Sequence, residues 1–251
     1  MKFQAKKETE KIIEFIREYY KEHNLGGAIL GISGGKDSAV VAALMCEAIG
    51  CENVVGLTLP CHSKKIDKSD AYIISEHYGF QMYDFDLTNV FDAFKKEFES
   101  IPIKGNTTNS DLNLKPRLRM ASVYYFAAFL SEIFKKTYIV IGTSNKSELF
   151  VGYFTKGGDS VHDLAPIADL TVEEVIQVGE VLNVPEKILY KTPNDGLSNK
   201  TDEDKLGVTY QDISNFMEDK NSVDMETRKK IEKLHKNSLH KFYIPKYEKK
   251  E

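Results

Sequence analysis

Cysteine is scarce in this chain. Cys46, Cys51 and Cys61 are its three cysteines, and no two of them form a C-x-x-C pair. Two disulfides cannot be built from three thiols, and zinc-ligand spacing is absent, so the expectation is reduced thiols in a cytosolic protein. No segment approaches the roughly 20 consecutive apolar residues that a membrane span needs. The opening "MKFQAKKETEKIIEFIREYY" also lacks the uninterrupted apolar stretch of a signal peptide, so a cytoplasmic location is expected. Excess basic charge is missing too: 34 Lys and Arg face 38 Asp and Glu, a net charge of −4. That balance argues against a general nucleic-acid binder. There is no internal repeat and no linker-like tract, and only the final "KYEKKE" reads as a frayed tail. A chain of 251 residues buries enough surface to need no disulfide or metal staple, and we expect one domain over 1–251.

What is present is an alternation of helical and strand patterns. Residues 5–23 carry Ile12, Ile13, Phe15, Ile16 and Tyr19 at helical spacing before "HNLGG" ends the run. Short apolar runs at 28–33, 53–60, 81–87 and 137–144 read as strands, with helices expected at 37–49, near 70–78, around 88–100 and at 112–136. The stretch 101–111 is rich in turn formers and reads as a loop. Strands alternating with helices of this length imply βαβ crossovers and a mainly parallel α/β sheet. Ligands of such sheets sit beyond the carboxyl ends of the strands, where "SGGKDS" (33–38) and "GTSNKSE" (142–148) both fall.

Glycine-rich turns admit anionic oxygens to backbone N–H groups at a helix start. In "GISGGKDS" (31–38) the residues Gly31, Ser33, Gly34, Gly35, Lys36, Asp37 and Ser38 have that character. The common NTPase loop requires Ser or Thr after Gly-Lys, and here Asp37 follows Lys36. The dinucleotide pattern G-x-G-x-x-G fails because Ser33 replaces its second glycine. An aspartate beside phosphates is consistent with a bridging Mg2+. The plainer alternative, Asp37 as the cap residue of an ordinary strand-to-helix turn, fits the motif and its context less well.

S-G-G-x-D-S after a strand resembles the pyrophosphate loop of the AMP-releasing ATP pyrophosphatases. That superfamily includes NAD synthetase, GMP synthetase, asparagine synthetase and tRNA-modifying enzymes. Three further stretches resemble NAD synthetase in particular: "NLKPRLRMASVYYF" (113–126), "GTSNKSELFVGYFTKGGDSVHDLAPIADL" (142–170) and "YKTPNDGLSNKTDEDKLGVTY" (190–210), with "NSLHKFYIP" near the end. The resemblance covers about residues 10–245. It implies a Rossmann-like three-layer α/β/α fold and an ammonia-dependent ligase that amidates nicotinic acid adenine dinucleotide (deamido-NAD) to NAD+ through an adenylate. It further implies ATP held by the 31–38 loop, Thr143 and Asn194, and Mg2+ held by Asp37 and Glu148. Arg117, Lys156, Asp163, His240 and Lys241 would contact deamido-NAD. A homodimer without a separate glutaminase domain is also implied, and no side-chain nucleophile.

Two positions depart from the family pattern: Val172 stands where many members have lysine, and Asn194 where many have Thr or Ser. Lys36 occupies the variable position of the loop and is expected to act through its backbone only. By themselves, Arg117 and Arg119, Glu148, the "TKGGD" turn and the His240-Lys241 pair also fit solvated surface positions. The rival functions are tRNA thiolation or lysidine formation, GMP synthesis, and nucleotide binding without catalysis. The first expects paired cysteines or a basic appendage, and neither is visible.

Overall fold

The structure, a computed structural model, describes residues 3–62, 65–191 and 201–249. At its centre is a four-stranded parallel sheet in the order β3-β2-β1-β4, built from β1 (Gly27–Gly31), β2 (Val54–Thr58), β3 (Gln81–Asp84) and β4 (Tyr138–Val140). Side chains alternate between the two faces, so β1, β2 and β4 each feed two cores. Ala28, Leu30, Val54 and Ile139 join one apolar cluster, while Ile29, Val55, Leu57 and Val140 join the other. Because both of their faces are covered, these three strands read as continuous apolar runs, whereas the edge strand β3 contributes only Met82.

The first face is covered by α1 (Ala5–Glu22), α2 (Lys36–Ile49), α3 (Lys65–Tyr78), α7 (Val172–Val181) and α8 (Glu186–Leu189). The opposite face is covered by α4 (Thr88–Glu99) and α5 (Thr108–Phe134). The expected three-layer α/β/α arrangement is therefore observed. A third, smaller cluster joins α6 (Lys146–Val151), the start of α7, α10 (Tyr210–Glu218) and α11 (Met225–Ser238); α9 (Asp202–Leu206) precedes them at the cleft. Val172 belongs to this cluster and is 7% exposed, so an apolar side chain there is explained by packing.

The fourth strand is shorter than expected, but the parallel bridge Ile141↔Leu164 extends its path. Helix α5 starts at Thr108, inside the stretch expected to be a loop. Asn106 accepts from the Thr108 N–H, and Lys95 pairs with Asp111 at 2.6 Å. These side-chain bonds supply a start that turn-rich composition conceals. Pro116 lies within the helix, facing Gly158, where a Cβ would approach the proline ring to 3.0 Å. The three cysteines are unbridged, and burial raises the Cys46 and Cys61 thiols, which keeps them inert. No helix among the described residues is long and apolar enough to cross a membrane.

Asp70 of α3 is 1% exposed and receives Lys187 at 2.8 Å and Lys191 at 2.9 Å. Burial would push its carboxyl up, but the two lysine hydrogen bonds outweigh burial and hold it below the usual carboxylate range. The folded value thus lies below the unfolded one, near 3.9. The pair therefore stabilises above about pH 4, and that stability is lost as pH falls through the folded value. Asp70→Asn should cost roughly 1.5–3 kcal/mol at pH 7 in urea unfolding, with the difference from wild type shrinking in acid. A difference that stays constant down to pH 3 would contradict this pairing.

Candidate functional site

The sheet order reverses direction between β1 and β4, the place where crevices form at the carboxyl edge of such sheets. A cleft of about 640 Å³ opens there, lined on one side by Ser33, Lys36, Asp37 and Ser38, and on the other by Thr143 and Glu148. Its floor includes Thr58, Leu59 and Pro60 at the end of β2.

The glycine turn is held by its own hydroxyls. Ser33 Oγ accepts from the Gly35 N–H at 3.2 Å, and Ser38 Oγ donates to the Gly35 carbonyl at 3.0 Å. Gly34 has φ +78°, a left-handed conformation that a side chain would strain. The first helical bond runs from Ala39 N–H to Gly35 O, at 3.2 Å. The amides of Lys36, Asp37 and Ser38 therefore lie in the first turn, outside the helical ladder, as anion-binding sites require.

The turn after β4 carries the opposing group. Asn145, fully buried, caps α6 by accepting the Glu148 N–H at 3.0 Å, and the Glu148 carboxylate accepts the Asn145 N–H at 3.1 Å. The Asn145 amide also donates to Asp37 Oδ1 at 3.1 Å. One side chain thus ties the loop after β1 to the helix after β4 and aims two carboxylates into the same cleft. Burial and then the Asp37 charge raise the Glu148 carboxyl well above its ordinary range, opposed by the Asn145 N–H and by Lys36. Lys36 is only 5% exposed, with its ammonium 3.3 Å from Asp37 Oδ2.

Behind the carboxylates stand Asp202, which accepts from Tyr153 OH at 2.9 Å, and Tyr210. The Tyr210 hydroxyl is buried and has no hydrogen-bond partner among the described residues. Burial pushes its phenol up, and Glu148, Asp202 and Asp37 add to the rise.

The residues expected to contact a dinucleotide are only partly brought together. Arg117 Nε and Nη2 donate to the Lys156 carbonyl, and Lys156 Nζ donates to the His240 carbonyl at 2.7 Å. These three form an exposed rim beside the cleft. Lys241 lies inside the cleft, donating to the Gly152 and Phe154 carbonyls at 2.6 and 2.7 Å, and burial lowers its ammonium. Asp163 accepts from Val140 N–H at 2.8 Å and Tyr124 OH at 3.0 Å, fastening its loop to β4 and α5. Asn194 lies outside the described residues.

Arg119, His162 and Asn145 were assigned no role at the site from the motifs. Arg119 lines the cleft, whereas Arg117 stands on its rim. His162 also lines it, with a buried Nδ1 that has no partner among the described residues. Asn145 had a readable signal, since N-K-S-E is a capping-box pattern.

A family model described as NAD synthase matches residues 8–245. The chain belongs to the NAD synthase family. It is 36% identical to an NH(3)-dependent NAD(+) synthetase of Carboxydothermus hydrogenoformans, over 98% of both sequences. Among solved structures it resembles an NMN synthetase from Francisella tularensis, with TM-score 0.89, 32% identity and coverage of 98% of this chain and 99% of the other. It also resembles the NH3-dependent NAD synthetase of Campylobacter jejuni, with TM-score 0.80, 29% identity and coverage of 98% and 100%.

Within this fold the linkage through Asn145 is open to direct test. Asn145→Ala should cost about 1 kcal/mol in urea unfolding through the lost cap, whereas Asn145→Ser keeps a capping oxygen and should recover most of that loss. Equal stability of all three proteins would contradict the role of the cap.

Proposed function

We propose that the chain catalyses ATP-dependent amidation of deamido-NAD by ammonia, forming NAD+, AMP and pyrophosphate. The observation that carries this reading is the pair Asp37 and Glu148, set against an open phosphate turn at the β1/β4 crevice. A loop serving γ-phosphate transfer carries Ser or Thr directly after its lysine, where this turn carries the carboxylate of Asp37. The nicotinate carboxylate attacks the α-phosphate of ATP, and pyrophosphate leaves. Ammonia then attacks the adenylated carboxyl and displaces AMP. The chain's part is to position the reactants and to offer N–H groups of the 33–38 turn to the departing pyrophosphate.

Asp37 and Glu148 also fit Mg2+. They are hard oxygen donors facing one cleft; burial and then the Asp37 charge raise the Glu148 carboxyl, and a cation bound between the two would favour both ionised forms. When bound, Mg2+ would screen the phosphate charge and orient the leaving group. Thr143 and the 31–38 turn would hold ATP, together with Asn194. Lys241 and the rim of Arg117, Lys156 and His240 would receive the dinucleotide, with Asp163 holding their loop in place. We read the chain as a single cytoplasmic synthetase unit that uses free ammonia.

An apolar face on α4 and α5 supports a homodimer. Phe94, Phe98, Tyr125, Phe129 and Ile133 are all at least 45% exposed there. Replacing both Tyr125 and Phe129 by Glu should convert a dimer into a monomer in analytical ultracentrifugation. A wild-type monomer at micromolar concentration would refute the dimer.

A second reading concerns the acceptor. The likeness to the NMN synthetase, at TM-score 0.89 against 0.80 for the NAD synthetase, favours testing the mononucleotide. The enzyme incubated with ATP, Mg2+ and ammonium should form AMP and NAD+ in equal amounts from deamido-NAD. Faster turnover of deamido-NMN would assign it the smaller substrate, and AMP without either amide would point to another acceptor. Asp37→Asn and Glu148→Gln should each lower product formation by about 10²-fold or more with the fold intact, the several kcal/mol expected for metal-assisted charge stabilisation. Near-normal turnover of either variant at limiting Mg2+ would remove the metal assignment.

A further inference from the structure

Lys36 was expected to contribute only its backbone, yet its side chain is among the most buried charged groups of the chain, at 5% exposure. Its position carries two electrostatic costs. It sits at the first residue of α2, where the helix end is already positive, and its ammonium is withdrawn from water. A buried lysine persists against both costs only where anions compensate it. The anion in contact here is Asp37, whose Oδ2 lies 3.3 Å from the Lys36 Nζ. The Asn145 amide donates to the other oxygen of the same carboxylate, at 3.1 Å. Glu148, raised by burial and then by the Asp37 charge, also feels the Lys36 charge, which favours its ionised form.

We propose that the Lys36 ammonium is a tethered counter-ion of Asp37 that competes with a divalent cation for this carboxylate. The inference rests on the metal assignment made under Proposed function. In this role the side chain at the variable position of the loop compensates the Asp37 charge before the nucleotide arrives, at the cost of weaker metal binding. When the metal engages Asp37, the flexible stem lets the ammonium turn to the phosphates, the nearest remaining anions.

The test is Mn2+ binding to the nucleotide-free protein, read by the loss of free-Mn2+ electron paramagnetic resonance signal, with thermal unfolding in EDTA alongside. Lys36→Met keeps the apolar stem and removes the charge. It should bind Mn2+ about tenfold more tightly than wild type, since removing a unit positive charge that pairs with the ligand carboxylate removes a competitor worth on the order of one decade. In EDTA its midpoint should lie below that of wild type, and Mn2+ should raise it by more degrees. Lys36→Gln, which retains a polar head, should behave alike and serves if Lys36→Met folds poorly. Unchanged or weaker Mn2+ binding by the charge-removed variants, with binding lost in Asp37→Asn, overturns the role of Lys36 and leaves the metal pair intact. Wild-type Mn2+ binding by Asp37→Asn overturns the metal pair itself, and the counter-ion with it.

Discussion

Two carboxylates held in one cleft by a single buried amide are the constraint on which the rest of this structure depends. Asp37 and Glu148 repel each other, and burial sharpens the repulsion for Glu148. Asn145 offsets it by donating to Asp37 while accepting the backbone N–H of Glu148. Because that residue is fully buried, its bonds are made in a low-dielectric setting where they are strong, and where leaving them unmade would be costly. The two loops at the crevice are thereby locked relative to each other, and the site is largely organised before any ligand enters.

The fold exists around this junction. Only neighbouring parallel strands deliver the turns after β1 and β4 to the same edge, and the sheet order β3-β2-β1-β4 does so at its reversal point. The helices on both faces bury the strands and fix the start of α2, whose first-turn amides stand outside the helical ladder at the cleft. The third cluster, around α6 and the start of α7, carries the buried Tyr210 and the half-buried Tyr153 behind the two carboxylates. The rim built by Arg117, Lys156 and His240 fastens α5, the Gly157-Gly158 turn and the C-terminal segment to one another. Lys241, inside the cleft, continues that rim through its bonds to the Gly152 and Phe154 carbonyls.

Much of this was legible in the residue pattern, because the signals were local. Strand runs, the glycine turn and the aspartate that spoils the NTPase loop are read within a few residues, and the elements appear close to where periodicity puts them. What escaped was set by tertiary contact. The start of α5 at Thr108 depends on side-chain bonds to Asn106 and Asp111, which turn-forming composition hides. Val172 looks like a lost nucleotide contact in a comparison of motifs but is a core residue of the third cluster. The two arginines of "PRLR" are equivalent in the sequence, and only the helix phase puts Arg119 in the cleft and Arg117 on the rim. The carboxylate of Asp163 accepts the Val140 N–H and the Tyr124 OH, a fastening that its motif does not show. Lys36 is the clearest case, since no sequence rule foresees a lysine folded back onto its own neighbour.

The central claim is that this cleft cleaves ATP at the α-phosphate by attack of the acceptor's carboxylate, with pyrophosphate departing onto the glycine turn. The most direct measurement uses deamido-NAD labelled with 18O in the nicotinate carboxyl, followed by mass analysis of the phosphorus products after one turnover. The account predicts one 18O in the phosphate of AMP and none in pyrophosphate. Label in pyrophosphate, or AMP free of label, would contradict it.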